Sequence, residues 1–185
     1  MLSCAPLLLL SCRSSETRAN GKKSEYFVAF SQCNNAEPYR AAQNALMEKL
    51  FREAGDVKLV IADAQQDNSK QVAQVETFIR QKPDLLIVAP NERAALTAIM
   101  GQAMEAKIPT ICLERDILQP NYTSYVHSDN MEIGRLAGQY IVDQLQKKNG
   151  KASGNVVQLR GLLGVEGEMK RDAGAKEIFA RYSSR

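Results

Sequence analysis

The sequence predicts an α/β fold, a doubly wound parallel sheet with helices on both faces. Three observations point there. Short apolar runs alternate with longer stretches whose apolar residues recur at helical spacing. Those longer stretches can carry a right-handed crossover between parallel strands. Polar residues gather directly after the strands, at the carboxyl edge where open α/β sheets bind ligands.

Taken in order, residues 26–30 form a first apolar strand and 31–37 a polar loop. A helix is predicted over 38–54, with Pro38 in its first turn, Ala41, Ala45, Leu46, Leu50 and Phe51 along its inward face, and Gly55 as its stop. Residues 57–62 are a second strand. Asn68 or Ser69 caps a helix reaching Gln81 that turns Val72, Val75 and Ile79 inward. Residues 84–89 hold a continuous apolar run of the kind buried on both faces. Pro90-Asn91 opens a helix from Glu92 to about Ala106, with Ala95, Ile99 and Met104 among its apolar residues. Residues 109–113 are a fourth strand and 123–127 a shorter fifth.

Composition narrows the function. At 185 residues there is room for one domain, or a domain and a piece. A net charge of +3 without a basic stripe argues against nucleic acid. The four cysteines include no Cys-x-x-Cys; Cys33 falls in a polar loop and Cys112 inside a strand. His127, the single histidine, has no partner at metal-ligand spacing, so no metal site is expected. Gly-x-Gly-x-x-Gly is missing after the first strand, as are the phosphate loop and the Gly-x-Ser-x-Gly elbow. No cofactor and no enzyme chemistry are expected.

Residues 1–24 stand outside this pattern. The apolar run 5–10 is too short to span a bilayer. Leu9-Leu10-Ser11-Cys12 resembles the lipobox of bacterial lipoproteins, which makes Cys12 the expected lipidation point and residues 14–23 a polar tether. Met1–Ser3 lacks the Lys or Arg of a secretory leader. Two readings stay open: a start further upstream, or a chance likeness.

The chain is organised around residues 109–115, a strand that ends in Glu114-Arg115. An acceptor-rich and a donor-rich side chain at a strand's carboxyl end suit a ligand carrying many hydroxyls. The plainer reading is a solvated surface pair. Ser31, Asn34, Asn35, Glu37, Tyr39 and Arg40 follow the first strand, Asn91 and Glu92 the third, and Ser128, Asp129 and Asn130 the fifth. These form a rim of hydrogen-bonding groups without a reactive centre.

Phe30-Ser31-Gln32, Glu37-Pro38-Tyr39-Arg40, Ala62-Asp63-Ala64-Gln65-Gln66, the run Asp84 to Pro90, Ile108-Pro109, Leu113-Glu114-Arg115 and Ser128-Asp129-Asn130 stand in order and in register. Together they resemble the type I periplasmic binding proteins, the sugar-binding components of ABC transporters, nearest to the ribose and galactofuranose types. The resemblance runs from about Tyr26 to about Tyr182 and implies a Rossmann-like fold of two lobes. Residues 25–129 would be the N-terminal lobe and 130–185 a partial C-terminal lobe of a truncated chain.

The resemblance also implies roles. Ser31 and Glu37 would contact sugar hydroxyls, and Tyr39 would stack on the ring with Arg40 following. Glu114 and Arg115 would match the family's Asp-Arg, Asn130 its first inter-lobe asparagine, and Arg171 an arginine of the second lobe. Ala89, Lys170 and Ala175 depart from the family's usual residues. Each role has a plainer counterpart: Tyr39 a staple of the first helix, Asn130 a helix cap, Arg171 a solvated helix residue, Glu92 a dipole complement.

In lobe two, a helix over 131–146 would use Ile133, Leu136, Ala137, Tyr140, Ile141 and Leu145. A strand over 155–159 and a helix over 168–182 would follow, as a loosely held tail. The implied function is capture of a small sugar for an ABC permease by hinge closure, in the periplasm or cell envelope. The only implied membrane contact is the lipid anchor. A sensory domain of a signalling receptor is the alternative.

Overall fold

The computed structural model describes residues 25–161 and 165–182. Five strands form one parallel sheet: β1 (Tyr26–Gln32), β2 (Val57–Asp63), β3 (Leu85–Val88), β4 (Thr110–Leu113) and β5 (Ser124–Val126). Their order is β2-β1-β3-β4-β5, so the chain reverses its winding direction at β1. Helices α1 (Pro38–Ala54), α2 (Asn68–Gln81) and α3 (Arg93–Glu105) provide crossovers. Successive residues of β1 divide the core. Ala29 faces α2 and α3 with Leu86, Val88, Leu96, Met100 and Cys112, while Val28 and Phe30 pack with Met47 and Phe51 of α1. Helices thus cover both faces, as the sequence predicts.

The helix starts follow capping chemistry. Asp67, one residue before the expected cap, accepts from Lys70 N and starts α2, and Glu92 accepts from Ala94 N and Ala95 N at the start of α3. The α2 face is met by Val75, with Phe78 and Gln71 also buried.

The predicted inward face of α1 is corrected. Arg40 and Asn44 are its buried residues, with Met47 and Phe51 continuing the stripe, whereas Leu46 and Leu50 are 55% and 54% exposed. Polar partners at the sheet edge rotate the helix: Asn44 Oδ1 accepts from Gln32 Nε2 at 3.0 Å, and Arg40 pairs with Glu114. Periodicity alone favours the leucines.

Beyond β5, α4 (Asn130–Asn149) and α5 (Glu166–Ala180) pack on each other. Contact is at backbone distance: a Cβ on Gly134 would lie 2.3 Å from Arg171 O, and one on Gly174 2.3 Å from Met131 O. α5 is thereby packed against α4 at close range. The buried residues of α4 are Asn130, Gly134, Gly138 and Val142, and the predicted Ile133, Leu136 and Tyr140 are exposed. The strand expected over 155–159 does not form, and Val157 and Leu159 are 88% and 95% exposed. A strand needs a neighbour for its N–H and C=O groups, and no described strand runs beside this segment. Among the described residues, no helix is long and apolar enough to cross a membrane.

Candidate functional site

The loops at the carboxyl edge of the sheet face the N-terminal ends of α4 and α5 across a cleft of about 580 Å3. Glu37, Tyr39, Glu114, Arg115 and Ser128 line one part of it; Asn130, Gln158, Arg160, Glu166, Glu168 and Arg171 line another. A second compartment of about 380 Å3 adjoins it over Asn68, Asn91 and Asp116, sharing Arg115 and Glu166.

The strand-end pair is built from below. Arg40, 1% exposed, lies under the cleft floor. Its Nη1 donates to Gln32 Oε1 at 2.9 Å and pairs with Glu114 Oε2 at 2.8 Å, and its Nε lies 3.4 Å from Glu37 Oε2. Glu114 occupies the left-handed region at φ 68°, which bends the chain at the end of β4. Its N donates to Val126 O at 2.7 Å, and its carbonyl accepts from Tyr125 Oη at 3.2 Å. Burial, with the Glu166 and Asp116 carboxylates adding to it, pushes the Tyr125 hydroxyl pKa upward and keeps it a donor. Arg115 Nη1 reaches Asn91 O at 3.2 Å. Asn91 is itself seated by buried Gln71, whose amide donates to Ala89 O and accepts from Asn91 N, each at 2.8 Å.

On the far wall, Asn130 stands in the first turn of α4. The cap is Asp129, whose carboxylate accepts from Glu132 N at 3.0 Å and titrates below the usual range because of that bond. Asn130 is free for other partners and donates to Glu166 Oε2 at 3.1 Å. Its Oδ1 accepts from Arg171 Nε at 2.9 Å.

Six of the eight sequence-derived contacts therefore come together on the cleft: Glu37, Tyr39, Glu114, Arg115, Asn130 and Arg171. Ser31 and Arg40 do not. Ser31 is fully buried, its hydroxyl 3.4 Å from Gln74 Oε1, and Arg40 serves the carboxylates. Cys12 lies outside the described residues. Sequence reasoning missed Gln32, Glu166 and Glu168. Glu166 precedes the helix expected over 168–182, whereas α5 begins at Glu166, and nothing local in the sequence marks it as buried. The buried thiols are chemically quiet: burial raises the pKa of Cys33, and that of Cys112 to about 12.

The cleft alternates fixed donors and acceptors beside an exposed ring, Tyr39. Among the described residues no group of three or more metal-ligating side chains occurs. This is the surface of a binding module: a parallel sheet whose carboxyl edge offers polar contacts and whose opposite wall is a helix pair.

The chain belongs to the periplasmic binding protein domain family, whose profile matches residues 28–184. It is 29% identical to the ribose import binding protein of Bacillus subtilis over 86% of this chain and 50% of that one. Identity to the galactofuranose-binding protein of Escherichia coli is 30%, over 94% of this chain and 54% of the relative. Among solved structures, a fructose-binding periplasmic domain of a hybrid two-component system superposes with a TM-score of 0.79 at 33% identity, covering 86% of this chain and 51% of that one. A solute-binding protein of an ABC transporter from Bacillus halodurans, with bound myo-inositol, gives 0.80 at 26% identity, over 88% and 55%. The chain spans about half the length of the relatives it matches.

Proposed function

We propose that the protein captures a small sugar for an ABC importer, with residues 25–129 as one lobe and 130–185 as part of a second. The observation that carries this is the facing of Glu114 and Arg115 at the sheet edge by Asn130 and Arg171 on the helix pair, all on one cleft. A polyol offers donors and acceptors together, and this lining matches both. Closure of the lobes over the ligand would shift the population toward a form that a permease reads. The protein would work in the periplasm or at the cell envelope and perform no chemistry on its cargo. The names of the ribose and galactofuranose relatives support the ligand class.

The test is an amide NMR titration of the 185-residue protein with D-ribose, D-galactose, D-fructose and myo-inositol. Shifts centred on Arg115, Asn130 and Arg171 are expected for at least one, at weak affinity. No shift at millimolar sugar would overturn the reading. A second reading, the sensory domain of a signalling receptor, is favoured by the two-component relative. The neighbouring reading frames separate the two: a permease and an ATPase, or a kinase.

A further inference from the structure

Four side chains at the N-terminal ends of α4 and α5 form a relay: an ion pair joins Lys170 to Glu166, and hydrogen bonds join Glu166 to Asn130 and Asn130 to Arg171. Glu166 is 2% exposed, yet it belongs to a helix's first turn where carboxylates usually meet water. One oxygen lies 2.5 Å from Lys170 Nζ and the other accepts from Asn130 Nδ2 at 3.1 Å. Asn130 Oδ1 accepts from Arg171 Nε at 2.9 Å. Gly167 closes the remaining side, since a Cβ there would sit 3.5 Å from both Nδ2 and Oδ1 of Asn130.

The relay removes a freedom that an asparagine normally has. Turning the amide over would set its NH2 against the Arg171 donor and its carbonyl against the Glu166 carboxylate, both repulsive. Orientation is therefore set by charge. One N–H and one lone pair of Asn130 remain unused, and both Asn130 and Arg171 line the cleft. The close contact of Gly134 with Arg171 O and of Gly174 with Met131 O holds the two helix ends in place.

We propose that Glu166, neutralised by Lys170, is a specificity-determining positioning residue. It fixes Asn130 and Arg171 so that the cleft presents a donor and an acceptor in one order to neighbouring hydroxyls of the ligand. This rests on the sugar-binding reading and adds a selector to it.

The experiment compares the protein with Glu166→Leu and Glu166→Gln, using D-ribose, 2-deoxy-D-ribose, D-galactose, D-fructose and myo-inositol as probes. Two readouts are taken: sugar affinity, and solvent exchange of the Asn130 side-chain amide. In Glu166→Leu, affinity for the preferred sugar falls by roughly tenfold and its margin over the poorer sugars shrinks. The Asn130 amide exchanges faster. Glu166→Gln keeps an acceptor for Asn130, and Lys170, whose side chain is half-exposed, turns its ammonium to water away from the new NH2, so affinity stays within about threefold of the parent.

Parent-like affinity ratios in Glu166→Leu would overturn the proposal, as would equal losses in both variants tracking only a fall in Tm. Should Glu166→Leu fail to fold, Glu166→Gln decides: retention of both the affinity order and the Asn130 amide protection is expected, and loss of either overturns the proposal. If no sugar binds even the parent, the sugar-binding reading fails and the amide exchange stands alone. Unchanged Asn130 protection in Glu166→Leu then overturns the relay as well.

Discussion

Replacing Arg40 with Met tests whether the strand-end carboxylate is held from beneath. The guanidinium is 1% exposed and serves Gln32, Glu114 and Glu37 at 2.9, 2.8 and 3.4 Å. Methionine fills the space of the stem but donates nothing. Breaking a buried ion pair from one side costs about 3–5 kcal/mol, because the partner's charge is stranded. Glu114 keeps 33% of its side chain in water, and Gln32 Oε1 retains a bond from Cys33 N at 3.1 Å. Solvation of the carboxylate lowers the expected cost to about 2–4 kcal/mol. For a chain of this length that is a fall in Tm of roughly 5–15 °C. Circular dichroism during urea and thermal unfolding reads the stability, and sugar titration reads the site. Glu114 loses its anchor in the same variant, so affinity should fall with stability. A midpoint within 1 °C of the parent, roughly the resolution of such a shift, with affinity unchanged, would show that Arg40 holds neither carboxylate.

Gly174→Ala places a methyl 2.3 Å from Met131 O and 2.9 Å from Arg135 N, so the helices must separate. It should cost about 1–3 kcal/mol, and parent-like urea unfolding would refute the close approach. Arg115→Ala should weaken sugar binding by about 1.5–3 kcal/mol, and unchanged affinity by calorimetry would return Glu114-Arg115 to a surface role. Cys112 titrates near pH 12 against an ordinary value of 9.0, so its folded form retains the proton longer than the unfolded one. The stability this gives is complete below about pH 9 and is lost as pH rises towards 12. Iodoacetamide at pH 8 should accordingly spare Cys33 and Cys112 until the protein unfolds, whereas rapid native labelling of either would contradict their burial. Cys12 is proposed to carry two acyl chains, enough for stable membrane attachment. Mass spectrometry finding an intact Met1, or a Cys12→Ala protein that fractionates identically, would sink that proposal.

The sheet was legible because its signals are local and strong. Leu85, Leu86, Ile87 and Val88 make a continuous apolar run that fits a strand covered on both sides, and β3 is one. The boundaries of α1 followed Pro38 and Gly55, residues whose backbone chemistry acts over one turn, and the start of α2 fell one residue before the expected cap. The failures came where a partner distant in sequence decides. Leu46 and Leu50 lose the inward face of α1 to Arg40 and Asn44, because those two meet Glu114 and Gln32 on other elements. The segment 155–159 has the composition of a strand, and composition cannot supply the neighbour that a strand requires.

The site divides along the same line. Glu114, Arg115 and Asn130 sit where the chain leaves a strand or enters a helix, and topology alone sends such positions to the carboxyl edge. The family resemblance implies a ligand contact for Arg40 beside Tyr39, and the structure separates the two. One position along a helix is a rotation of about 100°, derived from 3.6 residues per turn. Tyr39 therefore faces the cleft mouth while Arg40 turns beneath it, 59% against 1% exposed. Glu166 fails in the opposite sense. By sequence it precedes the helix expected over 168–182; Lys170 meets it through i,i+4 spacing on α5, and only the approach of α4 to α5 through Gly134 and Gly174 brings Asn130 to it. Those glycines were the available sign. Gly134 and Gly138 stand four apart on α4, with Gly174 on α5, and small residues at that spacing mark a helix contact where backbones touch. Once the backbones touch, polar side chains at the helix ends can no longer all reach water, and each must find a partner or be replaced.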